Sequence, residues 1–235
     1  MINITKELLN IAKIFNQKTK LYIVGGHIRN CLLNIKSKDI DLCSSLTLKE
    51  VEELLKNTHF KVVKPNYSFG TCKIKGNTIY EYSTFRVDKY NEDGSHFPKK
   101  VEFCKDIKTD SARRDFTINC LYYDIMGKKI IDFYNSQKDI NLKVLRAIPK
   151  AESTLKYDGD RLLRMIKFSV VYNLEIETET LYFATKYSKN INDLNDSTVL
   201  KFISEINALS KSKKTKAINL LKLLNCNQIV EKYFK

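Results

Sequence analysis

Asp39 and Asp41 stand two residues apart in the run DIDL. In an extended strand residues i and i+2 share a face, so the two carboxylates aim together, with Ile40 and Leu42 on the other side. Side by side they repel, and neither is easily protonated at neutral pH. A divalent cation resolves that repulsion. Oxygen-only ligation suits Mg²⁺, which commonly takes one or two carboxylates and then substrate phosphates. Upstream, Gly25-Gly26 ends the apolar run 21–24 and opens a helical stretch, 27–33. A Gly-Gly before a helix leaves backbone N–H groups free to meet phosphate oxygens. Residues 23–42 therefore offer a metal seat and a triphosphate cradle together. Each half alone has a plainer reading: a Gly-Gly is usually a turn, and a single Asp-x-Asp is usually a solvated strand face.

Three further clusters could do chemistry. Glu81, in TIYEYSTF, is an acid flanked by aromatics in a strand-like run. It is either a rim residue or a third carboxylate beside Asp39 and Asp41, and two metal ions held by such a set can activate a 3′-hydroxyl and stabilise leaving pyrophosphate. Arg113, Arg114 and Asp115 are consecutive. Adjacent guanidinium groups repel unless something anionic is near, and a triphosphate would answer that. The alternative is a helix cap at Asp115 with two solvated arginines. Asp158, Arg161 and Arg164 are spaced i, i+3, i+6, which on a helix makes the first two neighbours. Either this is a surface ion pair, or Asp accepts from an exocyclic amino group while Arg donates to a ring acceptor. Cytosine and adenine present that edge; uracil and guanine place a carbonyl where the amino group would be. One Asp/Arg pair could thus select C and A without a template.

The elements that must position these groups divide the chain in two. Residues 4–16 have the apolar spacing of an amphipathic helix. Strand-like runs follow at 21–24, 39–42, 60–64, 71–74, 78–85 and 101–103, with a helix over 48–57 after Thr47 and a turn at Gly76-Asn77. Residues 89–100, polar with Gly94 and Pro98, read as a loop. Residues 111–134 read as a short helix and then a hairpin turning at Met126-Gly127. From 142 onward the pattern is helical, with Leu162, Leu163, Ile166 and Val170 on one apolar face. The expectation is an α+β chain: a sheet domain over 1–140 and an all-helical part over 141–235.

Composition narrows the partners. The 235 residues suffice for a real core, and 41 Lys+Arg against 27 Asp+Glu give a formal charge of +14. Such an excess favours a polyanion, nucleic acid above all, although Lys, Asn and Ile abound throughout. The six cysteines form no C-x-x-C pair and read as reduced, buried thiols in a cytoplasm. The three histidines are scattered, against zinc. No apolar stretch reads as a signal peptide or a membrane span.

These motifs together resemble the class II tRNA nucleotidyltransferase (CCA-adding enzyme) and bacterial poly(A) polymerase family. IVGGHIRN with DIDL is similar to its metal motif, with Asn30 where the family usually has Asp. RRDFTIN, residues 113–119, matches its ribose- and triphosphate-binding motif in full. Residues 132–146 are similar to the hinge between its head and neck. YDGDRLLRMIKF is similar to its base-selecting motif, with Tyr157 in place of Glu and Lys167 in place of a frequent Arg. The resemblance covers roughly residues 20–170. It implies a polymerase-beta-like nucleotidyltransferase head with a mixed five-stranded sheet and a helical neck. It implies addition of CMP and AMP from CTP and ATP to the 3′ end of tRNA. Asp39 and Asp41 would hold Mg²⁺, with Glu81 assisting. Gly25, Gly26, Arg29, Arg113 and Arg114 would hold the triphosphate, Asp115 the ribose within a motif closed by Asn119, and Asp158, Arg161 and Arg164 the base. The loop 89–100 would close over the site.

Two alternatives stay open: an A-adding enzyme or poly(A) polymerase, and a non-catalytic RNA-binding remnant. SFGTCKI, residues 68–74, looks more like the Gly-Thr stretch of the tRNA enzymes than the basic stretch of poly(A) polymerases. Beyond residue 194 the match fades, where family members usually continue into body and tail domains. Residues 201–235 hold many lysines and only two acids, Glu205 and Glu231. Lys211, Lys213 and Lys214 are the expected RNA-phosphate contacts there, or else solvated charge.

Overall fold

The computed structural model describes residues 2–37, 39–90 and 98–234. It forms two compact units: one of residues up to Asp88 with Val101–Ile140, the other of Asn141 onward with the described part of Lys89–Lys100. Residues 91–97, most of the expected closing loop, lie outside the described residues.

In the first unit, α1 (Lys6–Phe15) starts at Thr5, whose hydroxyl accepts from the Leu8 N–H at 3.1 Å. Its i, i+3, i+4, i+7 face, Leu8, Ile11, Ala12 and Phe15, is fully buried. Each of the larger side chains contributes about 1.5–3 kcal/mol by leaving water. The chain continues through β1 (Tyr22–Val24), α2 (Gly26–Leu32), β2 (Asp41–Ser44), α3 (Leu48–Leu55), β3 (Lys61–Asn66), β4 (Thr71–Lys75) and β5 (Ile79–Thr84). Then come β6 (Arg86–Lys89), β7 (Lys100–Phe103), α4 (Ile107–Ser111), a 3-10 turn (Thr117–Asn119), β8 (Leu121–Asp124), β9 (Lys129–Asp132) and α5 (Ser136–Leu142). Thr47 and Glu50 make a reciprocal capping box at α3.

The sheet is mixed, but it has seven strands rather than five, in the order β3-β4-β5-β2-β1-β8-β9. The extra pair is the hairpin β8–β9, which adds to the free edge of β1 with Tyr22 opposite Asp124. One neighbouring pair is parallel, β2 with β5, and it sets Asp41 beside Glu81 and Leu42 beside Tyr82. The strand expected over 39–42 is displaced: β2 begins at Asp41, and exposed Asp39 lies in the segment leading into it. Alternation along β5 buries Tyr80, Tyr82 and Thr84 and leaves Glu81 outward. Glu7 of α1 grips the β4–β5 turn. Its carboxylate accepts from the N–H groups of Asn77 (2.6 Å) and Thr78 (3.1 Å) and from the Tyr80 hydroxyl (3.1 Å).

The second unit is helical except for one short parallel pair, a departure from the all-helical expectation. Its elements are β10 (Val144–Leu145), α6 (Ala151–Lys156), α7 (Gly159–Tyr172), β11 (Glu175–Ile176) and α8 (Thr178–Lys186). A 3-10 turn (Ser188–Asp193), α9 (Asp196–Asn207), α10 (Lys211–Leu223) and α11 (Asn227–Tyr233) complete it. β10 pairs with β11 through Val144 and Glu175. α7 is the spine: Leu162, Leu163, Ile166 and Val170 are all buried. A Cβ at Gly159 would run into the Asn190 carbonyl oxygen, so the helix starts on a glycine because the 3-10 turn packs against it. No helix among the described residues is long and apolar enough to cross a membrane.

Candidate functional site

Gly25 has φ +73° and ψ −132°, a backbone state that favours glycine. It turns the chain from β1 into α2 beside Asp41, and no side chain caps that helix. A Cβ at Gly26 would press on the guanidinium of Arg29. Arg29 is buried. It donates to Asn119 Oδ1 and, through Nε and Nη2, to Asn30 Oδ1 at 3.1 and 2.9 Å. Asn119 in turn donates to Asp115 Oδ1 at 3.1 Å, which also receives the Phe116 N–H at 2.8 Å. The side chains of Arg29, Asn119 and Asp115 thus join α2 to the RRDFTIN segment. Asn30 keeps an acceptor for Arg29 despite lacking the second oxygen of an aspartate.

A cleft of about 370 Å³ opens beside this network. Asp41, Glu81, Lys64, Lys73, Arg113 and Arg114 are among the residues that line it. Glu81 pairs with Lys73 at 3.2 Å. The Asp41 carboxyl is pushed up by burial and by the charges of Glu81 and Asp39, against the pull of Arg114 and Arg29. Asp41 and Glu81 are neighbours in this cleft, whereas Asp39 is exposed and does not line it.

The arginine pair differs from expectation. Its counter-charge is built into the protein. Asp110 accepts from Arg113 Nε at 2.8 Å and from Arg114 Nη2 at 3.0 Å, and Arg113 also reaches Asp88 at 3.4 Å. Tyr122 completes the set, donating to Asp110 at 2.6 Å and accepting from Arg114 Nε at 2.8 Å. Burial alone would push the Asp110 carboxyl up; the two guanidinium groups and the tyrosine hydroxyl override it and hold it well below the usual range. Neither arginine is a solvated side chain, each being 15% exposed.

In the second unit Asp158 is the N-cap of α7. It accepts from the Asp160 N–H at 3.1 Å and from Arg161 Nε at 3.2 Å. Arg161 lies over the Tyr90 ring at 5.6 Å and donates to its hydroxyl at 3.2 Å. Arg164 lies over the Phe168 ring at 5.0 Å and lines a hollow of about 260 Å³ with Asp160, Lys167, Lys201 and Glu205. The structure thus brings Asp158 and Arg161 together and gives Arg164 a different setting.

Residues 21–146 match the family described as the poly A polymerase head domain. The chain belongs to that family. Its relatives include the CCA-adding enzyme of Staphylococcus epidermidis, 30% identical over 200 residues that cover 85% of this chain and 48% of that protein. The CCA-adding enzyme of Oceanobacillus iheyensis is 36% identical over 161 residues, 68% of this chain and 39% of that one. Among solved structures, the Bacillus stearothermophilus CCA-adding enzyme in complex with CTP aligns with a TM-score of 0.80 at 23% identity, over 94% of this chain and 52% of that one. The Thermotoga maritima CCA-adding enzyme complexed with tRNA gives 0.76 at 22% identity, over 96% and 53%. At those identities the structural likeness establishes the fold. The chain spans about half the length of the relatives it matches.

Nucleotidyltransferases of the poly A polymerase head family generally use a divalent metal. The donor set here fits one: hard oxygen ligands at Asp41 and its acidic neighbours, with mutual repulsion for a cation to relieve. Among the described residues no group of three or more His, Cys, Asp and Glu side chains is placed to hold a metal ion, so Asp39, Asp41 and Glu81 do not stand here as the three-carboxylate set that the sequence suggested. A cation there would finish its shell with substrate and water oxygens.

Four residues of this head were missed from the sequence. Asp110 had a signal, its i, i+3, i+4 spacing to Arg113 and Arg114. Asp88, Tyr122 and Lys64 had none, because strand pairing brings them in. The basic C-terminal triad needs a correction as well. Lys213 Nζ donates to the Val171 carbonyl at 2.7 Å, capping the end of α7. Lys214 lies over the Phe234 ring at 5.5 Å, and Lys211 is exposed. The three lysines do not form one outward row.

Proposed function

We propose that the chain transfers CMP and AMP from CTP and ATP to the 3′ end of tRNA, without a template and with release of pyrophosphate. One observation carries this reading: Asp41 and Glu81 are adjacent across the parallel strand pair of the seven-stranded sheet and share a cleft with Arg113 and Arg114. Carboxylates beside fixed guanidinium groups are what phosphoryl transfer needs, since catalysis there is positioning and charge stabilisation. Asp39 and Asp41 would hold Mg²⁺. Bound there, it supplies the charge that makes a 3′-hydroxyl a better nucleophile and pyrophosphate a better leaving group. Glu81 orients the acceptor hydroxyl. Arg113 and Arg114 hold phosphate oxygens, and their bonds to Asp110 fix them before substrate arrives, so little ordering is left to pay for. Gly26 presents its backbone N–H to the triphosphate, whereas the Gly25 N–H is donated to the Leu121 carbonyl at 3.2 Å and Gly25 serves by making the turn. Arg29 and Asn119 brace Asp115 toward the ribose. Asp158 and Arg161 read the amino and ring-acceptor edge shared by cytosine and adenine. The work is expected in the cytoplasm, where tRNA is repaired.

The test is incubation of the chain with labelled CTP and ATP and a tRNA lacking its 3′ CCA. CCA addition supports the reading. Addition of A alone or of long A tails reassigns the substrate within the family, and no addition to any RNA sinks it.

A further inference from the structure

β3 loses register with β4 midway: Val63 lies opposite Lys73, but Asn66 lies opposite Thr71, which puts one extra residue into β3. Lys64 sits in that bulge with φ +51°. Glycine is the usual occupant of such a position, and a lysine there is strained. Pro65 follows and restricts Lys64 further. The other non-glycine residues with positive φ, such as Asn34, Lys128 and Asn173, lie in turns or at helix ends; among the described residues Lys64 is the one inside a strand. Strain of this kind is retained where the side chain it aims has a use.

The bulge aims Lys64 into the cleft of Asp41, Glu81, Arg113 and Arg114. Lys73 there is paired with Glu81, and both arginines are tied to Asp110. Lys64 makes no ion pair among the described residues. Its side is also defined. Along the sheet, β1 and the Gly25-Gly26 turn lie on one side of Asp41, and β5, β4 and β3 lie on the other. In-line displacement at phosphorus sets the attacking and leaving oxygens on opposite sides. With the triphosphate tail toward Gly25-Gly26, the attacking strand arrives from the β3 side.

We infer that Lys64 holds a backbone phosphate of the acceptor RNA near its 3′ end. This rests on the transfer reading above and adds to it a residue and a direction of approach. A lysine–phosphate contact releases condensed counterions and reads no sequence.

The experiment compares the full chain with Lys64→Met, Lys64→Gly and Lys64→Arg. Affinity for a tRNA lacking its 3′ CCA is measured across a salt series without nucleotide, and KM for CTP is measured separately. Lys64→Gly suits the positive φ, so it removes the charge while keeping the bulge. Loss of one contact should make the log–log salt slope shallower by about 0.7–1, which is roughly five- to tenfold weaker binding at about 0.1 M salt. Met and Gly variants should both show this, Arg should restore binding, and KM for CTP should stay within about twofold. Unchanged RNA affinity in the Met and Gly variants overturns the inference. So does a raised KM for CTP with RNA affinity intact, which would give Lys64 to the triphosphate instead. If the parent chain binds RNA but adds no nucleotide, the transfer reading fails, and the salt series still decides the role of Lys64.

Discussion

Arg114 and Arg161 each lie against a tyrosine ring and bond to an aspartate, yet the two arrangements differ in tightness. Around Arg114, Asp110 is fully buried and shared with Arg113, and Tyr122 bonds to both Asp110 and Arg114 at 2.6–2.8 Å. Around Arg161, the bonds to Asp158 and Tyr90 are both 3.2 Å, and Asp158 also serves as a helix cap. The first is a closed network that keeps a cationic wall in place whether or not substrate is present. In the second, the described bonds are longer, which suits the proposed exchange of partners with an incoming base edge. Charge stabilisation needs rigidity; base selection needs partners that can be exchanged.

Three substitutions probe that difference, in decreasing size of effect. Asp41→Ala should lower kcat by about a thousandfold or more, because the charge it anchors is worth several kcal/mol in the transition state. Thermal unfolding should stay near the parent, since the Asp41 carboxylate is crowded by Glu81 and makes no ion pair among the described residues. Labelled CTP incorporation alongside circular dichroism checks both, and a variant with near-normal turnover would remove Asp41 from the chemistry.

Asp110→Asn should do the reverse and cost about 3–5 kcal/mol of stability in urea unfolding, because two buried guanidinium groups lose their shared anion. Its carboxyl is depressed in the folded protein, so its contribution is complete above a pH of about 4, where the unfolded group ionises. That contribution is lost as pH falls further. The parent should therefore lose more stability than the variant when pH drops from about 5 to about 3. Equal losses would mean that Asp110 is not the anion holding this wall.

Arg161→Ala should leave urea stability within about 1 kcal/mol, as an i, i+3 pair does. It should let UTP and GTP compete better with CTP and ATP, by about tenfold or more, since one base contact discriminates by 1–3 kcal/mol. An unchanged ratio returns Asp158 and Arg161 to a plain ion pair, and a large stability loss would erase the contrast with Arg114.

The smallest effect is at the C-terminal lysines. Lys213→Ala should cost up to about 1 kcal/mol through the carbonyl it caps, with Lys211→Ala neutral. If the two variants weaken RNA binding equally and leave stability alone, the cap at Val171 is incidental.

Legibility in the sequence followed the distance over which each contact is made. The amphipathic face of α1, the capping box at Thr47, and the spine of α7 are periodic in sequence, and they sit where periodicity puts them. Asp158 and Arg161 could be paired from their spacing for the same reason. Alternation placed Asp39 and Asp41 on one strand face, but β2 starts only at Asp41 and leaves Asp39 in the segment before it. Partners contributed by other strands were illegible. Nothing local tells that Tyr122 meets Arg114, that Asp88 meets Arg113, or that Lys64 lines the same cleft as Glu81. The strand count failed likewise: the hairpin β8–β9 was visible as a hairpin, but not the edge it would join.

The grip of Glu7 on the β4–β5 turn bears on where this chain can be cut. The family match begins at residue 21, after α1 has ended. A fragment trimmed to that match would lose Leu8, Ile11 and Phe15 from the core, and also the carboxylate that bonds to Asn77, Thr78 and Tyr80. Glu81 follows Tyr80 directly, so the clamp lies one residue from the acid that faces the cleft. The reach of recognisable similarity and the extent of a unit that holds its own geometry are different boundaries here, and a truncation series starting at residues 2 and 21 would measure the gap between them.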